Sequence, residues 1–241
     1  PEWDMKAIVQ QLVGKQLAKK KLPYWYKNET ILYPVRLSME QCSSEETASY
    51  KSTIISAGKG IDLTGGFGID TYFLAQNADS VIYCERNPVL SEIVSNNFKA
   101  FNQTNCDIYT GDGIAYLQKL YKLDWIFVDP ARRKESERVC RLEDCEPNVI
   151  ALKSLFFEKA DRILIKTAPL LDIQQTLSDL DSVKEVHVIS VNNDCKEVLY
   201  LLEKGYSNET QVFCINLKKE TQEKFSFTFS EERNAVNQYS E

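Results

Sequence analysis

Four acidic residues of this 241-residue chain stand where short apolar runs stop. They are Asp62 in Ile61-Asp62-Leu63-Thr64-Gly65-Gly66-Phe67-Gly68, Glu85 after Val81-Ile82-Tyr83-Cys84, Asp112 in Thr110-Gly111-Asp112-Gly113, and Asp129 in Phe127-Val128-Asp129-Pro130. Glycines at a strand end let the backbone turn tightly and approach a ligand closely. A pyrophosphate-binding loop needs a third small residue in G-x-G-x-x-G, and Thr71 occupies that place. Asp62 at the entry of the turn would repel a pyrophosphate and attract an ammonium. The ligand read from this loop is a nucleotide carrying a cationic amino-acid group. Glu85, about twenty residues beyond the glycines, suits the two hydroxyls of a ribose. Asp112 can accept from the exocyclic amine of adenine while capping the next helix, and capping alone is its plainer reading. Arg86 and Gly113 flank these acids and are counted with the nucleotide site.

The remaining chemistry falls after the fourth and fifth apolar runs. Asp129-Pro130 makes a rigid extended loop whose carboxylate can orient and deprotonate an acceptor. Arg132 and Arg133 can clamp a phosphate or stack on a base, or pair with Glu135 and Glu143. Lys166, ending Arg162-Ile163-Leu164-Ile165-Lys166, needs a partner such as Asp129 or an anionic substrate.

The elements that must position these residues alternate. Strands are expected at 60–63, 80–84, 106–109, 124–128, 162–166, 184–190 and 211–216. Helices are expected near 69–77, 88–101, 112–120, 147–159, 170–179 and 195–203. This pattern implies βαβ units, a mostly parallel sheet with helices on both faces, and a ligand beyond the carboxyl ends of the strands. Upstream, residues 5–20 form a helix with Ile8, Val9, Leu12, Val13 and Leu17 on one face. Ser43-Ser44-Glu45-Glu46 fits a capping box opening a second helix. The expected division is a helical segment over 1–57, a catalytic domain over 58–218, and a strand and tail over 219–241, with Phe225–Phe229 alternating like one more strand.

The series Asp62…Gly68, Glu85, Asp112 and Asp129-Pro130 resembles the class I S-adenosylmethionine-dependent methyltransferases over roughly residues 59–217. Ser43-Ser44-Glu45-Glu46-Thr47-Ala48, with Asp129-Pro130-Ala131-Arg132-Arg133 and Asn192-Asn193-Asp194-Cys195-Lys196-Glu197, looks like a bacterial group provisionally assigned as RNA methyltransferases. Longer members of that group carry a THUMP-like domain after the catalytic one, which would be missing or barely begun here. The glycine loop is also similar to that of the cap-type guanine-N2 methyltransferases. The resemblance implies an α/β, Rossmann-like, doubly wound seven-stranded sheet of order 3-2-1-4-5-7-6, mostly parallel with the last strand antiparallel. It places the methionine end of S-adenosylmethionine on Thr64, Gly65, Gly66, Phe67 and Gly68, the ribose on Glu85 and the adenine on Asp112. Asp129, Pro130 and Lys166 fall beside the transferring methyl group. Amino-methylating relatives carry Asp/Asn/Ser-Pro-Pro and an aromatic at the catalytic loop, and this chain departs from them with Ala131-Arg132.

Composition narrows the partners. A net charge of −6 argues against indiscriminate nucleic-acid binding but leaves room for local basic patches. One surrounds Tyr24, Trp25 and Tyr26 with Lys15, Lys19, Lys20, Lys21 and Lys27; it offers charge and stacking surface to RNA, or is equally an ordinary amphipathic helix packed on the sheet with its lysines solvated. The single histidine, His187, gives a multi-histidine metal site no material. An odd count of seven cysteines without a signal peptide favours reduced thiols in a cytoplasm. No run approaches the ~18 apolar residues that span a bilayer. The functional expectation is transfer of a methyl group to a base in ribosomal or transfer RNA. A cofactor-binding module without catalysis, or a small-molecule or protein methyltransferase, stands as the alternative.

Overall fold

The computed structural model describes residues 3–55, 57–132, 141–219 and 221–235. The chain divides into two compact units, 1–127 and 128–241. The first contains helices α1 (Met5–Lys21), α2 (Pro23–Tyr26), α3 (Arg36–Gln41) and α4 (Glu45–Ile54), then β1 (Lys59–Asp62), α5 (Ile69–Ala75), β2 (Ser80–Glu85), α6 (Pro88–Ala100), β3 (Cys106–Thr110), α7 (Gly113–Leu117) and β4 (Leu123–Val128), whose last residue crosses the division. Its strands run in the order β3-β2-β1-β4, every pairing parallel, with Asp62 of β1 opposite Tyr83 of β2 and Phe127 of β4. Parallel pairing needs crossovers, and local signals start them. Asn87 caps α6 through Val89 and Leu90 N–H, with Pro88 in the first turn and Leu90, Val94 and Phe98 on the buried face. Asp112 caps α7 in the same manner.

The helical segment ahead of β1 is part of this core. Leu22, Trp25, Met39, Phe67, Tyr72 and Phe98 form one buried cluster. Ser44 rather than Ser43 caps α4 through the Thr47 N–H, which puts Thr47 at the third helical position, so the capping box expected at Ser43–Glu46 does not form. The neighbouring Glu45 carboxylate accepts from the backbone N–H groups of Tyr24 and Trp25 at 2.9 Å. Burial pushes the Glu45 carboxyl upward in pKa, opposed by those two N–H groups. Lys51, fully buried, pairs with Asp70 at 3.1 Å and donates to Ser43 Oγ, which itself donates to Asp70.

The second unit contains β5 (Ala131–Arg132), β6 (Cys145–Glu146), α8 (Val149–Lys159), β7 (Ala160–Thr167), α9 (Ile173–Asp179), β8 (Val183–Val191), β9 (Asp194–Glu203), β10 (Gln211–Leu217), β11 (Gln222–Thr228) and α10 (Phe229–Asn234). β5 and β6 pair only with each other. The other strands run β7-β9-β8-β10-β11, with β9 antiparallel to both neighbours, β10 parallel to β8 and β11 antiparallel to β10.

The orders 3-2-1-4 and, for β7-β9-β8, 5-7-6 are those the resemblance implies, unit by unit. The strand count is not: the sheet strands number nine rather than seven, because β10 and β11 continue the second unit past β8. The helix expected at 195–203 is a second correction, since β9 occupies it. Asn192 and Asn193 both have positive φ, 50° and 66°, and join Val191 to Asp194 in a two-residue hairpin. That backbone is the one a tight hairpin between right-twisted strands requires. Residue 211–217 therefore is not the antiparallel seventh strand; β9 is. β11 confirms the strand expected near Phe225–Phe229, ending one residue earlier at Thr228. No helix among the described residues is long and apolar enough to cross a membrane.

A β-branched residue at φ near +50° is strained by about 1–2 kcal/mol. Asn192→Val should lower stability by about that amount, read as a lower melting temperature in circular dichroism. An unchanged melt would mean that the hairpin does not hold the β8–β9 register.

Candidate functional site

β1 delivers Asp62 to the mouth of the glycine turn, and the structure buries it completely. One Asp62 oxygen accepts the Thr64 N–H at 3.0 Å and the other the Thr71 hydroxyl at 2.5 Å. Asp62 thus braces the loop from inside, whatever else it touches, and Thr71 supplies a bond where a glycine would supply none. Gly65 N–H donates to the Cys84 carbonyl and Gly68 N–H to the Gly65 carbonyl, each at 2.8 Å. Gly66 and Gly68 take φ of 54° and 77°, the left-handed region that favours glycine. Phe67 turns back into the core against Trp25, ring centroids 5.3 Å apart and edge to face.

The loop is braced from outside by β2. Tyr83 donates its hydroxyl to the Gly66 carbonyl at 2.6 Å, and burial raises the pKa of that phenol, keeping it a donor. Glu85 accepts from Gly66 N–H with one oxygen, at 3.0 Å, and from Asn87 N–H with the other, at 2.7 Å. Each oxygen keeps lone-pair capacity for a further donor. At the end of β3, Asp112 Oδ1 accepts Ile114 and Ala115 N–H while Oδ2 meets Arg86 at 2.8 Å. The Ala115 N–H above all, joined by Arg86 and the Ile114 N–H, holds this half-buried carboxyl below the usual carboxylate range against the opposing effect of desolvation. Both readings of Asp112 therefore stay compatible: it is a cap with a second oxygen facing the Arg86 guanidinium.

The shape of the loop distinguishes its glycines. A Cβ on Gly65 would lie 2.1 Å from the buried Tyr83 ring, and one on Gly113 2.9 Å from the Leu63 carbonyl. A Cβ on Gly66 would meet nothing nearer than the Thr64 carbonyl at 3.8 Å. Gly65 and Gly113 are small because protein atoms press on them, whereas Gly66 faces open space. A nucleotide with an amino-acid arm is compatible with this turn, which leaves room and backbone at Gly66, a carboxylate with lone-pair capacity at Glu85, and a second carboxylate at Asp112.

In the second unit, the Lys166 ammonium pairs with the Asp129 carboxylate, one of the two partners expected for this strand-end lysine. The adjoining Pro130 is buried and Ala131 opens the short β5. Arg132 pairs by backbone with Cys145; Arg133 lies outside the described residues. The surface expected around Trp25 is corrected, because Trp25 is fully buried and offers no face to a base. Tyr24 remains exposed, stacked on Phe101 at 5.4 Å, near the exposed Lys20 and Lys27 in sequence. Lys21 is engaged with the Met39 and Glu40 carbonyls. Burial pushes the Cys84 thiol up and the Cys106 thiol to about 12, away from ionisation at neutral pH.

Against known proteins, no family model matches the chain, nor does any curated protein. Solved structures do. A protein of Porphyromonas gingivalis W83, provisionally named a methyltransferase, is 35% identical with a TM-score of 0.88, and the match covers 97% of this chain and 60% of that one. The chain thus spans under two thirds of that protein's length. A provisionally named class I S-adenosylmethionine-dependent methyltransferase of Listeria monocytogenes has a TM-score of 0.55 at 10% identity, covering 85% of this chain and 73% of that one. A provisionally named RNA methyltransferase of Pyrococcus horikoshii has 0.50 at 14%, covering 77% and 98%. The last two likenesses show the fold alone. All three neighbours bear the name methyltransferase, and the α/β arrangement is consistent with the class I fold.

The difference between the two glycines is measurable. Gly65→Ala forces the buried Tyr83 ring to move and should cost about 1–3 kcal/mol in a chemical melt. Gly66→Ala pays only its left-handed backbone, about 1 kcal/mol. Equal losses would contradict the packing described for this turn.

Proposed function

We propose that the chain is a class I S-adenosylmethionine-dependent methyltransferase that modifies a base in RNA. The observation that carries the cofactor is the open left-handed turn at Gly66, with the Glu85 carboxylate bonded to its N–H and Asp112 at the next strand end. Gly65, Gly66, Phe67 and Gly68, led by Asp62 and Thr64, would enclose the methionine portion. Glu85 would take the ribose hydroxyls on its remaining lone pairs, and Asp112, with Arg86 and Gly113 beside it, the adenine. The cofactor supplies, when bound, a methyl group on a positively charged sulfur.

Displacement at such a methyl group needs alignment more than covalent help. Asp129 would accept a hydrogen bond from the acceptor, with Pro130 fixing the backbone after it and Lys166 fixing its carboxylate. RNA is favoured by the lysines along the end of α1, by Lys27 and by the exposed Tyr24, which combine charge with one stacking face. Arg132 and Arg133 would add phosphate contacts. A base buried in a duplex would have to be flipped out to reach Asp129.

The test is transfer of a labelled methyl group from the cofactor to total RNA, with modified nucleosides identified by mass spectrometry. Asp129→Asn should reduce transfer at least ~10²-fold, while calorimetry with the demethylated cofactor product shows unchanged affinity. Gly66→Val should remove that affinity in a chain that still folds. Cofactor binding without transfer to any acceptor would instead indicate a binding module, and transfer that survives nuclease treatment would indicate a protein or small-molecule acceptor.

A further inference from the structure

Helix α1 turns its most apolar stripe away from the core. The sequence puts Ile8, Val9, Leu12, Val13 and Leu17 on one face, yet only Val13 and Leu17 are half-buried, and the other three are exposed. The side that meets the first unit carries Gly14 and Ala18, both buried, and Gln11. The Gln11 amide accepts the Tyr33 N–H and donates to the Tyr33 carbonyl, each at 2.8 Å. Gly14 is seated so closely that a Cβ there would lie 2.2 Å from the Tyr33 Cβ. On the opposite side Met5, Ile8, Val9 and Leu12 follow one another at the i, i+3, i+4, i+7 spacing of a single helix face. They are 64%, 36%, 52% and 64% exposed, and Trp3, just ahead of the helix, is 75% exposed. Apolar residues scattered singly on a surface need no explanation, but these five make a patch on the order of 500 Å², at the upper end of what a monomer shows.

We propose that this stripe is a dimer interface, with α1 packing antiparallel against α1 of a second copy across a twofold axis between Ile8 and Val9. Two properties select a second copy as the occupant. The first is spacing. Reversing the stripe about its midpoint sets Met5 against Leu12 and Ile8 against Val9, so the stripe complements itself, as an isologous contact requires. Two copies bury on the order of 1,000 Å² through these side chains alone, about what a specific interface must clear. The second property is charge. α1 is capped at its start by Asp4 and ends in Lys19, Lys20 and Lys21. Lys15, whose ammonium stands 5.8 Å from the Tyr26 ring, lies about three turns beyond Asp4 and on the same flank of the helix. Like flanks meet in an antiparallel pair, so each Asp4 approaches the Lys15 of the other copy, and each positive helix start lies beside a negative helix end. A parallel pair would set the two lysine ends side by side. In the antiparallel pair the two copies of Lys20 stand about 35 Å apart at a rise of ~1.5 Å per residue, several Debye lengths at physiological salt. The interface uses neither the glycine turn nor Asp129, so it stands independently of the methyltransferase reading.

Sedimentation equilibrium of the whole chain over about 1–100 μM reads the association. The wild type should reach twice the chain mass, with a dissociation constant of about 10 μM or tighter. Met5→Glu and Leu12→Lys should each weaken pairing about tenfold or more. Their far-ultraviolet circular dichroism should match the wild type, because both side chains are exposed. Mixed in equal amounts, the two variants should pair again, since the antiparallel register sets the new carboxylate of one against the new ammonium of the other. A wild type that stays monomeric to about 100 μM overturns the proposal and assigns the stripe to a different partner. A dimer that neither substitution weakens lies on another surface and overturns it equally. Loss of pairing in both folded variants without recovery in the mixture overturns the antiparallel arrangement.

Discussion

The first unit depends on a backbone turn clamped by carboxylates from two sides. Asp62 takes the Thr64 amide and the Thr71 hydroxyl inside the turn, and Glu85 takes the Gly66 amide outside it. Neither clamp works without the other's strand, because the parallel β1–β2 register sets Asp62 opposite Tyr83, whose hydroxyl reaches the Gly66 carbonyl. The left-handed residues Gly66 and Gly68 are the conformations this clamp stabilises, and α5 starts directly from the second of them. A turn defined this tightly loses little freedom when a ligand settles on its open residue, which is how preorganisation raises affinity.

The helical segment before β1 is tied into the same clamp. Lys51 and Ser43 meet Asp70 in the first turn of α5, linking α4 to the helix that leaves the glycine turn. Burying an ammonium is costly, and removing its carboxylate partner costs far more than the pair contributes. The cluster is therefore better read as fixing the position of α4 than as a source of net stability. Glu45 does the same for α2 by holding two of its amides, which seats Trp25 behind Phe67.

Much of the glycine-turn unit was legible because its signals are local. A glycine turn, an acid about twenty residues later and an Asn-Pro helix start each depend on a few adjacent residues, and the strand orders β3-β2-β1-β4 and β7-β9-β8 are those the resemblance implied. β9 was not legible as a strand. A central strand buried on both faces shows no alternation, and Val198-Leu199-Tyr200-Leu201-Leu202 beside Lys and Glu reads equally well as a helix. The Asn192-Asn193 pair was the missed signal, since asparagine tolerates the left-handed backbone of a two-residue hairpin. Tyr24-Trp25-Tyr26 failed for the opposite reason: aromatics interleaved with lysines suggest a binding surface, and only tertiary packing reveals that the middle one is core.

That middle residue has an optical consequence. Of the chain's three tryptophans, Trp3 is exposed, while Trp125 is buried and donates its indole N–H to the Ala57 carbonyl. Trp25 is sealed among Phe67, Tyr72 and Phe101, and its Nε1 has no hydrogen-bond partner among the described residues. An indole in so apolar an enclosure emits at the short-wavelength edge of the spectrum. The blue part of the chain's intrinsic fluorescence thus originates directly behind the glycine turn, and any rearrangement of Phe67 is recorded there without a label.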